Sequence, residues 1–260
     1  MQASIHLPHL GFSILLCLTA VISSCDNTTA NSEGKNVFGI DQRTEILATS
    51  YPWRTIGKIS GVNCTGTLVA KDLVLTAAHC VIDSKTGALH ANLGEFLPNT
   101  INGRSVQRSG FVHAWWGTKD PDNHRGSDWA ILKLTKPLGE TYGWLGVKPT
   151  EVSTFPNQMT LAGYSGDYRQ GLTAGIHHNC DVKAKFPESN FILHDCDSTR
   201  GSSGGPILRM YDDKLTIVGI HVAERRNGGD SSLNLPQYSD NLANIGIPSK
   251  DFVKKILELL

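Results

Sequence analysis

Asp197-Ser198-Thr199-Arg200-Gly201-Ser202-Ser203-Gly204-Gly205-Pro206 sets a serine among glycines. Such glycines permit a tight turn that points successive backbone N–H groups inward, the arrangement that stabilises a developing oxyanion. A serine hydroxyl is a weak nucleophile at neutral pH and needs a base to take its proton. Upstream, Leu75-Thr76-Ala77-Ala78-His79-Cys80 offers an imidazole at the end of an apolar run. Ser127-Asp128-Trp129-Ala130-Ile131-Leu132 offers a carboxylate at the start of another. A buried carboxylate fixes the imidazole tautomer and stabilises the imidazolium that forms. Singly, each island has an ordinary structural use as a core histidine, a turn aspartate or a glycine loop. Together, in the order His, Asp, Ser, they point to Ser203 as nucleophile, His79 as general base and Asp128 as the group that orients it.

The rest of the chain suits a β protein. Its 260 residues fit one domain or two small joined ones. With 40% hydrophobic and 18% charged residues it has a globular composition, and its zero formal net charge gives no reason to expect nucleic acid as a partner. Short apolar, β-branched runs recur between turn residues: 65–70, 73–76, 111–114, 129–134 and 215–220. Each predicts a strand, and many short strands predict sandwiches or barrels. One helix is predicted at the end, capped by Ser249 with Asp251 in its first turn. Its apolar face would carry Phe252, Val253, Ile256, Leu257 and Leu260.

Residues 1–25 contain no Asp, Glu, Lys or Arg, and their apolar run is too short to span a bilayer. They read as an export signal. Ile22-Ser23-Ser24-Cys25 also resembles a bacterial lipoprotein signal, in which Cys25 is lipidated and anchors the chain to a membrane. Ordinary cleavage near a cysteine stays open beside it. Residues 26–36 read as a polar linker or propeptide. Of six cysteines, Cys17 and Cys25 fall in the signal, which leaves Cys64, Cys80, Cys180 and Cys196. Four cysteines in an exported chain suggest two disulfides in one of three pairings. The chain has no CxxC pair, so zinc is not expected. His177 and His178 would face opposite sides of a strand, so no shared metal is expected there either. No cofactor is expected.

Thr76-Ala77-Ala78-His79-Cys80 with Gly201-Ser202-Ser203-Gly204-Gly205-Pro206 resembles the chymotrypsin/trypsin-like serine peptidases. Val37-Phe38-Gly39-Ile40-Asp41-Gln42-Arg43, Cys64-Thr65-Gly66-Thr67-Leu68, Asp195-Cys196-Asp197-Ser198 and Gly219-Ile220-His221 make it most similar to their bacterial glutamyl endopeptidase (V8-like) branch. The resemblance implies an all-β fold of two antiparallel β-barrels, over 37–140 and 141–260, with the helix ending the second. It implies an oxyanion hole from the N–H groups of Gly201 and Ser203, and a disulfide Cys64–Cys80 that leaves Cys180–Cys196. It implies protein or peptide substrates, a secreted or periplasmic enzyme, and a monomer.

The chain departs from the trypsin pattern at Ser202, where trypsin-like zymogens carry an aspartate that pairs with the freed amino terminus. By analogy with the glutamyl branch, the mature chain would start at Val37. Three residues are candidates for binding the side chain before the scissile bond. Asp197 stands where trypsin has its Lys/Arg-selecting aspartate. His221 stands where Glu-cleaving relatives bind the substrate carboxylate, and Ser198 adds a hydroxyl donor. Cleavage after Glu or Asp is the expectation. Cleavage after Arg or Lys, and a homologue that binds a partner without catalysis, are the alternatives.

Overall fold

The structure is a computed structural model that describes residues 36–226, 238–239 and 242–260. The expected export signal, Cys25 with its lipid anchor, and residues 26–35 of the expected linker lie outside the described residues.

The first barrel is built from β1 (Ile56–Ile59), β2 (Cys64–Leu68), β3 (Leu73–Thr76), β4 (Phe96–Pro98), β5 (Phe111–Trp116) and β6 (Ala130–Leu134). All are antiparallel, in the order β4-β1-β2-β3-β6-β5. A bridge between Phe96 and Ser109, just before β5, brings the two edges together. Leu73, Val74 and Leu75 are buried, as are Ile131 and Leu132 opposite them. Apolar side chains on both strand faces therefore leave water, each contributing about 1.5–3 kcal/mol.

The second barrel comprises β7 (Gln158–Gly163), β8 (Gly175–Phe186), β9 (Phe191–His194), β10 (Pro206–Tyr211), β11 (Lys214–Arg226) and β12 (Leu242–Pro248). The order β8-β7-β10-β11-β12-β9 returns on itself because β9 also pairs with β8. Thr44–Glu45 adds a short strand on β8. Cys180–Cys196 spans the approach to the nucleophile loop, and Cys64–Cys80 joins β2 to the turn carrying His79. Both are the disulfides the resemblance implies.

The C-terminal helix, Lys250–Leu259, buries Phe252, Val253 and Ile256. Phe252 and Ile256 share a cluster with Leu132 of the first barrel and Ile220 of the second. Two expectations need correction. Leu257 and Leu260 are exposed, because the covered stripe is only as wide as the strands beneath it. Ser249 precedes the helix but its hydroxyl does not cap it. That hydroxyl donates to the Lys148 carbonyl instead. Among the described residues, no helix is long and apolar enough to cross a membrane.

Candidate active site

His79 lies in the short turn after β3, and Asp128 just before β6. Pairing of β3 with β6, Thr76 opposite Ala130, brings them together. Asp128 is fully buried. Its Oδ1 accepts the His79 backbone N–H at 2.9 Å and its Oδ2 accepts from His79 Nδ1 at 2.8 Å. One carboxylate thus fixes the main chain and the ring of the same residue. With Nδ1 donating, Nε2 keeps its lone pair for a proton. Arg125 Nη1 lies 3.5 Å from the same Oδ2, so the buried charge has a second partner.

Ser203 comes from the loop between the second disulfide and β10. Cys80 Sγ is 3.7 Å from His79 Nε2 and 3.7 Å from the Ser203 carbonyl oxygen, so the histidine and the serine flank one sulfur. The loop is gripped by Thr65 of the first barrel. The Thr65 N–H donates to the Ser203 carbonyl at 2.9 Å and its hydroxyl to the Gly201 carbonyl at 2.8 Å.

Two glycines carry the loop's geometry. Gly201 has φ 110° and Gly204 φ 82°. A Cβ at Gly204 would sit 2.2 Å from Thr76 Oγ1, and one at Gly201 2.3 Å from the Tyr164 carbonyl oxygen. The N–H groups of Ser202, Gly204 and Gly205 bond to the carbonyls of Thr199, His221 and Ser202. Those of Gly201 and Ser203 have no acceptor among the described residues. The Arg200 carbonyl is held by the Gly166 N–H at 2.8 Å. Because a trans peptide is planar, this turns the Gly201 N–H the other way.

The expected pocket residues divide. Ser198 and His221 are both buried, with Ser198 Oγ 3.5 Å from His221 Nε2. Behind them stands His194, which the sequence reading missed. Its Nδ1 accepts the Cys196 N–H at 3.3 Å, so its proton sits on Nε2, 3.3 Å from His221 Nδ1. His221 Nδ1 therefore accepts, and its Nε2–H is a donor on the Ser198 side of the ring. Burial first, and the neighbouring His194 and His79 next, hold the His221 pKa well below the usual histidine value. Burial and His177 push His194 down to about 3. Both rings are neutral at pH 7.

Asp197 turns its carboxylate to the main chain of residues 38–42. It is buried, but its Oδ1 accepts the Phe38 N–H at 2.8 Å and its Oδ2 the Gln42 N–H at 2.9 Å. His177 Nδ1 also lies 3.3 Å from Oδ2, but that nitrogen accepts the Asp197 N–H at 2.8 Å and has no proton left to share. Both carboxylate oxygens thus anchor residues 38–42.

Asn36 is also unlike a linker residue, being fully buried. Its carbonyl accepts from the Ser198 N–H and Asn244 Nδ2, and its own Nδ2 donates to the Ala243 carbonyl at 2.7 Å. Ser202, in place of the trypsin-type aspartate, bonds through Oγ to Ser165 Oγ at 2.5 Å. The ionic anchor of this region is Arg43, which bonds to both Asp41 and Asp167.

Cys64, His79 and Cys80 are close enough to suggest a metal cluster. The two sulfurs are bonded to each other, so neither is a thiolate that could ligate. His177 is buried and His178 exposed, on opposite faces of β8.

Residues 64–220 match the trypsin-like peptidase domain model. The chain belongs to the trypsin-like peptidase family. The peptidase is 29% identical over 227 residues to a glutamyl endopeptidase of Bacillus licheniformis, covering 81% of this chain and 69% of that protein. It is 29% identical over 236 residues to serine protease 23 of Homo sapiens, covering 77% of this chain and 60% of that one. The peptidase thus spans about 60% of that relative's length. A solved Glu endopeptidase in complex with MPD matches 86% of this chain and 98% of its own, with TM-score 0.67 and 22% identity, a likeness of fold. Together these place the peptidase among chymotrypsin-like serine endopeptidases related to the glutamyl branch.

Proposed function

We propose that this chain is an exported serine endopeptidase that cleaves after Glu or Asp. Ser203 Oγ attacks the scissile carbonyl carbon while His79 Nε2 takes its proton. The carbonyl oxygen becomes an oxyanion held by the N–H groups of Gly201 and Ser203. Asp128 stabilises the imidazolium. The intermediate collapses with cleavage of the C–N bond, and His79 passes its proton to the leaving amine. Water, deprotonated by His79, then hydrolyses the acyl-enzyme and returns the proton to Ser203.

The observation that carries the specificity is the neutral His194–His221 pair, which presents an Nε2–H beside the Ser198 hydroxyl. Two donors with no carboxylate among them suit an acidic side chain. The Arg/Lys alternative needed Asp197 as a free anion, and that carboxylate is occupied. Similarity to a glutamyl endopeptidase supports the same class. Two disulfides favour an oxidising compartment.

Maturation at Val37 belongs to this reading. The Asn36 carbonyl accepts from the Ser198 N–H at 3.2 Å, which sets Asn36 beside the proposed pocket. Cleavage after Asn36 would release it and create an ammonium near Asn244, whose Oδ1 is buried without a partner among the described residues.

His221→Gln tests the pocket. A hydrogen bond to a charged group is worth about 1.5–3 kcal/mol, so kcat/KM for a Glu substrate should fall about 10- to 100-fold relative to the matched Gln substrate. An unchanged Glu-to-Gln ratio would remove His221 from specificity.

A further inference from the structure

A cavity of about 410 Å³ lies beside the nucleophile loop, lined by Lys58 of the first barrel and by Gly166, Asp167, Gln170, Gly171, Thr199, Arg200 and Gly201 of the second. It shares Gly201 with the proposed oxyanion hole. Ser198 and His221 lie on the far side of the Thr199–Gly201 segment. On the proposed reading, a peptide with its acyl side chain at His221 and its carbonyl at Gly201 would continue past the scissile bond towards this cavity.

The charge in it is uneven. Lys58 Nζ donates to the Gly171 carbonyl at 2.6 Å and lies 5.9 Å from the centre of the Tyr164 ring. Neither Lys58 nor the exposed Arg200 has a carboxylate partner among the described residues. Burial lowers the Lys58 pKa below its ordinary value, as expected for an ammonium withdrawn from water without an anion beside it. Asp167 is the one carboxylate in the lining. Its oxygens accept from Arg43, which it shares with Asp41, and from the Thr199 hydroxyl.

The wall that holds Lys58 is strained. Arg169, Gln170 and Gly171 have φ of 48°, 55° and 62°, three successive left-handed residues of which two carry side chains that disfavour that region. This turn presents the Gly171 carbonyl to Lys58. Strained backbone persists where the surroundings enforce it, and it often marks ligand sites.

We propose that this cavity is a subsite for the leaving half of the substrate, and that Lys58 and Arg200 there select an acidic side chain one or two residues after the scissile bond. The proposal rests on the peptidase reading of Ser203 and extends it to the other side of the bond. The enzyme would then read carboxylates on both sides, by neutral donors before the bond and by cations after it.

The test uses peptide pairs with one cleavage site that differ only by Glu or Gln at the first or second position after it. Wild type should favour one of the Glu peptides by about 10- to 100-fold in kcat/KM, the size of one charge-assisted hydrogen bond. That ratio should fall towards 1 in Lys58→Met and in Arg200→Gln, and Lys58→Arg should restore it. Arg200 is exposed, so its variant keeps the test open if Lys58→Met does not fold. Binding of the same peptides to Ser203→Ala, read by fluorescence anisotropy, should show the same preference without hydrolysis. A wild-type enzyme that hydrolyses nothing would thus count against the peptidase reading and leave the subsite measurable. A ratio near 1 in wild type, or one that neither variant moves, would overturn the subsite.

Discussion

Replacing Ser203 with alanine is expected to lower kcat by about a million-fold while the protein stays folded. Loss of the nucleophile removes the covalent route, and what survives comes from the oxyanion donors and substrate binding alone. The fold should tolerate the change because the loop is held by its backbone. Thr65 grips the Ser203 and Gly201 carbonyls, and Gly204 and Gly205 are bonded through their N–H groups. None of these contacts uses Oγ. The check is single-turnover hydrolysis together with thermal unfolding. A variant with wild-type melting and more than about a hundredth of wild-type kcat would mean that another group attacks the substrate.

Asp128→Asn is expected to cost about ten-thousand-fold in kcat with KM little changed. The amide keeps the size of the carboxylate and its oxygen can still accept the His79 backbone N–H. The nitrogen then faces His79 Nδ1, where an acceptor stood 2.8 Å away. The ring would switch tautomers, place its proton on Nε2 and lose the ability to accept from Ser203. Because a base is needed at Nε2, the loss should shrink as pH rises and solvent hydroxide substitutes. The kcat–pH profile of the variant reads this directly. A loss below about tenfold would show that Asp128 does not control the histidine. Asp128 is fully buried, and an uncharged amide in its place would leave Arg125 with Asp122 as its remaining carboxylate, so unfolding should be measured alongside.

Residue type and local pattern made much of this fold readable. Leu73–Thr76 and Ala130–Leu134 announce themselves by consecutive apolar, β-branched side chains, because strands walled on both faces need them. His79, Asp128 and Ser203 could be singled out as candidates because the proposed chemistry requires those groups, whatever positions them. The helix position was legible from 3.6-residue spacing, but Leu257 and Leu260 also fit that spacing and stay in water. Periodicity says which residues share a face and not how far the partner surface extends.

What stayed hidden depends on contacts between distant residues. Asp197 looked like a free pocket anion because its partners, Phe38 and Gln42, are 159 and 155 positions away. Backbone N–H groups also leave no trace in side-chain identity. His194 is an ordinary end to the run Phe191-Ile192-Leu193, and only the pairing of β9 and β11 with β12 sets it against His221. The Ser249 hydroxyl could serve its own helix or a distant carbonyl, and the sequence displays only the local choice. Thr65 sits in a stretch already notable for Cys64, and nothing in its neighbours hints that it reaches the second barrel.

The measurement that bears most directly on the central claim is a panel of peptides carrying Glu, Asp, Arg, Lys, Phe or Ala before the scissile bond. It should be run on protein beginning at Val37, with the chain that keeps Asn36 as its control. The account predicts the highest kcat/KM after Glu, with Asp next, little cleavage after Arg or Lys, and lower activity while Asn36 remains. Cleavage chiefly after Arg or Lys would contradict the His221 pocket. No cleavage at all by folded protein, with no labelling of Ser203 by a fluorophosphonate, would contradict the peptidase mechanism itself.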